Sequence, residues 1–207
     1  MQQIFDAPDF EAPYTDLTFP GRAEDEKILY VTRESPVMLA YRLFVFSLAV
    51  AVAMLAGSIL ISVTGRTLSF AYGGIVLMLV VLGGVVLFGG LWWMREVYTK
   101  TMFIITTRRL TKFIHTTPWN RYQMSLGLDK VEDSGAYSKG YIQAFFKLGT
   151  FVARSSAGNI KNFKIENIAL AEDLHNWMNK LMFVFNRQQD KLDGFRPFVA
   201  KGIGKRD

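Results

Sequence analysis

Two long runs of apolar residues dominate the hydrophobic pattern of the chain. They occupy residues 43–63 and 68–94, and neither contains a charged residue. A helix rises about 1.5 Å per residue, so the runs would span roughly 31 Å and 40 Å, against about 30 Å for the hydrocarbon core of a bilayer. Backbone groups in lipid must be satisfied within the segment. The pattern therefore predicts a transmembrane helical hairpin over 43–94.

Two other readings of these runs fit less well. Soluble folds of this size rarely bury two such helices. A signal peptide starts with a short basic segment, whereas this apolar block follows some 40 residues that begin with an acidic stretch. Small residues that would let the helices approach closely are Ala49, Ala53 and Gly57 on the first and Gly73, Gly84 and Gly90 on the second. The alternative is that glycine is simply common in membrane helices.

Charges at the helix ends predict the orientation of the hairpin. Basic residues flank it on both outer sides, and the short connection contains Arg66 alone. Lys27, Arg33 and Arg42 precede the first helix, and Arg95, Lys100, Arg108, Arg109 and Lys112 follow the second. Because positive loops stay in the cytoplasm, we expect a multi-pass protein of the inner (plasma) membrane with both termini cytoplasmic.

The segments outside the membrane differ in charge. Residues 1–36 carry three basic and eight acidic residues, whereas residues 95–207 carry nineteen basic and ten acidic ones. Residues 1–26, with three prolines and no apolar period, are predicted to be a disordered acidic tail followed by a juxtamembrane segment, 27–42. The tail's spaced aromatics (Phe5, Phe10, Tyr14 and Phe19) could instead be a docking motif. Residues 188–207 form a basic tail suited to lying on the membrane.

Residues 97–187 have the pattern of an α+β domain. Residues 97–106 alternate in β-branched and aromatic residues, and 109–115 could be their antiparallel partner. Further strands are predicted near 122–128, 131–137, 150–154 and 162–165. The period then changes to that of an amphipathic helix, with Leu170, Leu174, Trp177, Met178, Leu181 and Phe185 on one face and Asn167 as its expected cap.

These segments together resemble the membrane-flanked bacterial pleckstrin-homology-like (PH-like) domain family. The matching pieces are Glu26-Lys27-Ile28-Leu29, Ile105-Thr106-Thr107-Arg108-Arg109-Leu110, Leu126-Gly127-Leu128-Asp129-Lys130-Val131 and Leu148-Gly149-Thr150-Phe151-Val152, in that order over about residues 26–183. The resemblance implies a curved antiparallel sheet of about seven strands, closed at one end by the C-terminal amphipathic helix. It implies no enzyme activity and no agreed ligand residues.

The sequence offers little catalytic chemistry. There is no cysteine, and the two histidines, His115 and His175, stand outside any ligand-spaced motif. The acidic cluster Asp129, Glu132 and Asp133 is typical of a solvated turn, since a metal or acid–base site needs a further fixed ligand. We therefore expect no catalytic residue, no metal and no cofactor. Nucleic-acid binding is not expected either, because no reading motif is present.

Two functional hypotheses remain. The first is a membrane-tethered, non-enzymatic interaction module or scaffold at the cytoplasmic face, which assembles with an unknown protein partner or with itself. The second is a sensor of anionic lipid headgroups that uses the basic juxtamembrane residues Arg95, Lys100, Arg108, Arg109 and Lys112. Each such residue near an anionic surface contributes about 1 kcal/mol.

Overall fold

The computed structural model describes residues 2–6, 14, 17–64, 72–155 and 162–199. The chain forms two compact units. Met1–Ser35 and Tyr98–Asp207 form a globular unit, and Pro36–Val97 form a helical unit. The helical unit is thus an insertion in the sequence of the globular one. The globular unit is larger than the predicted domain 97–187, because it also takes in residues from both expected tails.

The helical unit contains α1 (Pro36–Thr64) and α2 (Tyr72–Lys100) as far as Val97. Both helices are long and apolar enough to cross a membrane, and no residue in their most apolar stretches is buried. Large apolar side chains such as Leu60 and Phe88 are exposed over 68% and 74% of their surface. Residues 65–71, which include the predicted connection and the start of the predicted second span, lie outside the described residues.

The two long helices pack antiparallel, with large side chains opposite glycines. A Cβ atom added to Gly57 would lie 2.7 Å from Leu79 Cδ1 on the other helix. In the same way, Gly83 faces Met54 and Gly90 faces Phe46. The positions on α1 increase from 46 to 54 to 57 while their partners on α2 decrease from 90 to 83 to 79, so the helices are antiparallel. Glycine at these three positions therefore leaves the space that a bulky partner fills.

The predicted packing residues are only partly on this contact face. Gly57 and Gly90 are on it, whereas Ala49 and Ala53 are exposed and Gly73 and Gly84 have no neighbour within 4 Å of a built Cβ. Residues four apart drift by about 40° around a helix at each step, so the stripe that starts at Ala49 winds out of the contact. Half-buried positions on α1 include a series with alternating steps of four and three: Leu43, Ser47, Val50, Met54, Gly57 and Ile61.

Among the described residues of the globular unit there are nine strands and two further α-helices. The strands are β1 (Gln2–Gln3), β2 (Leu17–Thr18), β3 (Ile28–Thr32), β4 (Met102–Thr106), β5 (Arg109–His115), β6 (Arg121–Gly127), β7 (Val131–Tyr137), β8 (Leu148–Ser155) and β9 (Phe163–Ala169). The helices are α3 (Tyr141–Phe145) and α4 (Ala171–Arg187). Two antiparallel sheets form, of order β3-β4-β5-β6 and β7-β8-β9, beside a short parallel β1-β2 pair. A 3-10 turn, Leu128–Lys130, separates the two sheets in sequence.

Strands β3 and β4 of the four-stranded sheet are buried on both faces, whereas β6 is mostly exposed. Phe103, Ile105 and Leu110 belong to a core shared with β8, β9 and the buried face of α4, on which lie Leu174, Met178 and Leu181. On the opposite face, Ile104 and Phe113 belong to a second core. Strand β4 (MFIIT) is accordingly buried along its whole length, as expected for a strand with apolar packing on both sides.

The second core corrects the expectation of a disordered N-terminal tail. Ile4, Tyr14, Leu17 and Phe19 are buried there against the sheet. The rings of Phe5 and Phe113 meet edge to face at 5.3 Å. Composition predicted disorder because the segment is acidic and proline-rich, but Ile4, Phe5, Tyr14, Leu17 and Phe19 all pack in the second core. The described part of the tail is therefore a cover for the outer face of the sheet.

The C-terminal segment is also part of the globular unit as far as residue 199. After a 3-10 helix, Gln189–Gly194, the backbone N–H of Phe198 donates to Leu29 O at 2.9 Å. The buried ring of Phe198 lies 4.9 Å from that of Tyr30 and 5.7 Å from that of Trp177. This segment thus covers the edge strand β3, whereas the sequence predicted a membrane-surface tail from residue 188.

Candidate functional site

Glu26 occupies the best-defined polar site of the globular unit. Its carboxylate is fully buried and accepts four hydrogen bonds. Arg109 donates Nε–H and Nη2–H to its two oxygens, each at 2.9 Å. Thr106 Oγ1 donates to Oε1 at 2.7 Å, and the Ala23 N–H donates to Oε2 at 3.1 Å. A buried carboxylate with this many donors is fully satisfied, so the site holds β3 against the β4–β5 turn.

The electrostatics of this pair favour the charged state of both partners. Burial acts to raise the pKa of Glu26, but the hydrogen bonds from Arg109, Thr106 and Ala23 outweigh it and lower that pKa. The hydrogen bonds to Glu26 in turn raise the pKa of Arg109. The site consists of ion-paired groups already engaged with one another, which suits a structural role better than proton transfer.

Two further residues of the predicted lipid-binding set are also engaged inside the globular unit. Arg108 forms an exposed ion pair with Asp25, the residue before Glu26. Lys112 donates from Nζ to the backbone oxygen of Lys164 at 3.0 Å and lies 4.8 Å from the ring centre of Phe103. Burial lowers the pKa of Lys112. Lys112 therefore ties β5 of one sheet to β9 of the other.

The remaining two predicted lipid-binding residues lie on α2. Arg95 is exposed and belongs to the helical unit, and Lys100 is the last residue of the helix. The five basic residues are thus divided between the two units. The charge pattern of the sequence could not distinguish Arg109 and Lys112, which are half-buried and bonded to backbone or carboxylate, from residues that face solvent.

A serine and a histidine meet where β7 contacts α4. Ser134, on β7, donates to Asn179 Oδ1 at 3.0 Å, and its Oγ lies 2.8 Å from His175 Nδ1. Asn179 Nδ2 lies 3.2 Å from His175 Nε2. These bonds close a ring if His175 Nδ1–H donates to Ser134 and Nε2 accepts from Asn179. The imidazole then has no lone pair directed at the serine, so it cannot act as its general base.

A surface depression of about 240 Å³ lies at the start of α4. It is lined by Tyr137, Ser138, Lys147, Leu148, Gly149, Leu170, Ala171 and Glu172. Ser138 Oγ already donates to the backbone oxygen of Leu148 at 2.8 Å. Elsewhere Asp133, of the predicted acidic cluster, pairs with Arg154 at 3.9 Å. In the described parts of the chain, no three side chains of the metal-binding types are grouped.

The two edges of the four-stranded sheet differ. Strand β3 has the 195–199 segment beside it, as described above. Strand β6 pairs with β5 over all seven of its residues, and no other described strand pairs with it. Arg121, Tyr122, Gln123 and Ser125 on β6 are exposed. An edge of this kind presents backbone N–H and C=O groups to an incoming strand.

Exposed aromatic side chains are concentrated between β7 and β8. Tyr141 and Phe145, at the two ends of α3, are exposed over 96% and 79% of their surface, and Phe146 over 46%. The inner side of this segment is fixed by Gln143, whose Nε2 donates to Asn167 Oδ1 at 2.7 Å and whose Oε1 accepts from the Lys139 N–H at 2.7 Å. The aromatic residues are therefore presented on an anchored base.

Comparison with protein-family models, with curated proteins and with solved structures finds no match for this chain.

Proposed function

We propose that the chain is a membrane-anchored, non-enzymatic interaction module of the PH-like class. The hairpin of α1 and α2 is its anchor, and the globular unit is its binding part at the cytoplasmic face. The exposed apolar surface of both helices supports the anchoring, since a soluble protein would bury it. Two antiparallel sheets followed by an amphipathic helix are compatible with the PH-like class.

The anchor is inserted between two paired strands. Thr32, the last residue of β3, pairs with Phe103 of β4. The chain leaves this pair for α1 at Pro36 and returns from α2 at Lys100. Both ends of the anchor thus join the sheet within a few residues. Such a connection suits a module whose sheet must stay beside the bilayer.

We propose that the module binds an extended polypeptide strand at the edge of β6 that no other described strand pairs with. A strand added there would satisfy the edge's backbone groups and gain side-chain contacts from Tyr122 and from the nearby Trp119, which is 78% exposed. Aromatic residues and arginine are enriched at the centres of protein interfaces, and Arg121 stands next to Tyr122. The incoming strand can come from a partner protein or from a second copy of this chain.

The lipid-sensor hypothesis, in the form that uses Arg108, Arg109 and Lys112, has less support. A guanidinium or ammonium group that is already bonded inside the unit would have to give up that bond to reach a headgroup phosphate. For the Glu26 pair, the cost would be an unpaired buried carboxylate.

Site-specific photo-crosslinking from Tyr122 in native membranes tests the proposal. A photoreactive amino acid at Tyr122 should give a discrete adduct, whereas one at Glu132, exposed on β7, should not. An adduct of twice the chain's mass that also forms with purified protein identifies a second copy. Gln123→Lys should weaken the adduct by blocking the edge, and Glu132→Lys should leave it intact. Equal labelling from Tyr122 and Glu132 would contradict the proposal.

A further inference from the structure

The segment Tyr137–Lys147 combines features that suit the headgroup region of a bilayer. It contains the aromatic side chains of Tyr141, Phe145 and Phe146, which are all exposed. Aromatic residues favour this region because one part of the ring system can meet acyl chains while polar groups stay hydrated. None of the three contributes to either core of the globular unit.

The charged residues within this segment and its sequence neighbours are all basic. From Ser134 to Ile165 the sequence has no aspartate or glutamate, and it has five basic residues: Lys139, Lys147, Arg154, Lys161 and Lys164. Lys139 and Lys147 flank α3 and are exposed. Acidic residues on neighbouring elements are Glu172, in the depression beside Lys147, Glu166, which pairs with Lys164, and Glu34, which accepts a hydrogen bond from the Asn167 side chain that also binds Gln143. A positive border around an aromatic centre is complementary to an anionic surface.

The segment is also held in shape before any contact forms. Gln143 and Ser138 bind it to Asn167 and to the backbone of Leu148, as described above. Gly140 has a φ of 89°, a conformation that glycine adopts without strain, and it begins the single turn that presents Tyr141 and Phe145. A contact made by such a segment costs little ordering of the backbone, which favours binding.

We propose that Tyr137–Lys147 is a bilayer-contacting loop. Its aromatic side chains enter the headgroup region of the membrane that carries the hairpin, and Lys139 and Lys147 bind anionic headgroup phosphates. The inference rests on the proposed membrane anchoring and adds to it a second contact with the same bilayer. It places lipid recognition on residues other than Arg108, Arg109 and Lys112.

Spin-label accessibility in the full chain tests this contact. The natural chain has no cysteine, so single variants Phe145→Cys and Glu132→Cys, the latter at an exposed position on β7, can be labelled without background. The probes are vesicles of neutral lipid and vesicles with an added anionic lipid. In anionic vesicles, the label at 145 should become less accessible to a water-soluble nickel complex and more accessible to oxygen, while the label at 132 should not change. High salt should reverse this shift.

Charge variants identify the source of the shift. Lys139→Gln with Lys147→Gln should abolish the protection at 145, whereas Lys180→Gln with Lys191→Gln, an equal change of charge at exposed positions elsewhere, should leave it intact. A label at 145 that is as accessible as the one at 132 in anionic vesicles would overturn the proposal. So would protection that grows with the ratio of protein to lipid, because it would indicate contact with a second copy.

A third label separates this outcome from failure of the anchoring itself. Leu60→Cys lies on the exposed face of α1 and should be accessible to oxygen and protected from nickel in every vesicle. If the label at 60 behaves in this way and the label at 145 is not protected from nickel, the loop proposal fails while the anchoring proposal stands. If Leu60→Cys is exposed to nickel, the anchoring fails, and the loop proposal with it.

Discussion

Glu26 and Arg109 form a buried two-pronged ion pair between residues that flank the inserted hairpin in sequence. Glu26 precedes β3 and Arg109 begins β5, so the pair joins the start of β3 to the β4–β5 turn. Its two hydrogen bonds are both 2.9 Å long. Residues 83 positions apart, on the two sides of the hairpin, are thereby brought into direct contact.

Removing one member of this pair should destabilise the globular unit strongly. Glu26→Ala leaves Arg109 without its carboxylate and should lower the free energy of unfolding by about 3 kcal/mol. Asp25→Ala removes the neighbouring ion pair with Arg108, whose partners are 56% and 64% exposed, and should cost less than about 1 kcal/mol. Chemical denaturation in detergent, followed by tryptophan fluorescence, measures both. Equal losses would show that burial of the pair has no energetic consequence.

The same pair predicts loss of stability in acid. The pKa of Glu26 is lowered in the folded state, so its contribution to stability is present above its unfolded value of about 4.5 and is lost as the pH falls through the folded pKa. Thermal melting of the natural chain should therefore shift downward below about pH 4.5. Glu26→Gln should be less stable at pH 7 and should lose less on acidification. Parallel pH profiles for the two proteins would contradict the assignment.

Neighbouring glycines test the packing of the hairpin. Gly90 faces the ring of Phe46, whereas a Cβ atom added to Gly89 would have no neighbour within 4 Å. Gly90→Ala should destabilise the helix pair by about 1–3 kcal/mol through overpacking. Gly89→Ala should be neutral or slightly stabilising, because alanine favours a helix. Thermal unfolding followed by circular dichroism compares them, and Phe46→Leu should partly restore Gly90→Ala. Identical behaviour of the two glycines would place the contact elsewhere.

The inserted hairpin should be removable without loss of the globular fold. Because β3 and β4 are antiparallel neighbours, a short glycine–serine linker can replace Pro36–Val97. That chain should be soluble and melt cooperatively. Residues 97–187 alone should aggregate, because they lack β3, the N-terminal cover and Phe198. A cooperative melt for 97–187 would mean that these additions are dispensable.

The C-terminal segment offers a matched pair of adjacent side chains. Phe198 is buried against Tyr30 and Trp177, and Val199 is 63% exposed. Phe198→Ala should cost about 3 kcal/mol, and Val199→Ala should change stability by less than about 0.5 kcal/mol. Denaturant titration checks both values. A small loss for Phe198→Ala would mean that the segment leaves β3 uncovered in solution.

The long periodic elements were predictable from the sequence. The first apolar run falls within α1, and the described part of the second, 72–94, falls within α2. The strand predicted over 97–106 begins only at Met102, because residues 97–100 continue α2, and the partner predicted over 109–115 is β5. The amphipathic pattern around Leu174, Met178 and Leu181 locates α4 because a helix that covers a core must repeat its apolar residues with the helical period.

Features that depend on distant partners were not predictable. Phe19 and Phe198 look like isolated aromatics in polar tails, and only the folded sheet shows what they cover. Asn167 was expected to cap α4, but it lies in β9 with a φ of 57°, and Leu170 precedes the helix instead. The basic residues were treated as one surface because sequence distance does not reveal that Arg109 meets a glutamate 83 residues away.

Thiol labelling of single-cysteine variants in intact cells tests the central claim, membrane anchoring with a cytoplasmic globular unit, most directly. The absence of natural cysteine makes each label specific. A cysteine at Thr67, between the helices, should react with an impermeant reagent. Cysteines at Gln2, Glu132 and Lys205 should react only after the cells are permeabilised. Reaction at Glu132 in intact cells would contradict the orientation, and recovery of the labelled chain in the soluble fraction would contradict the anchoring.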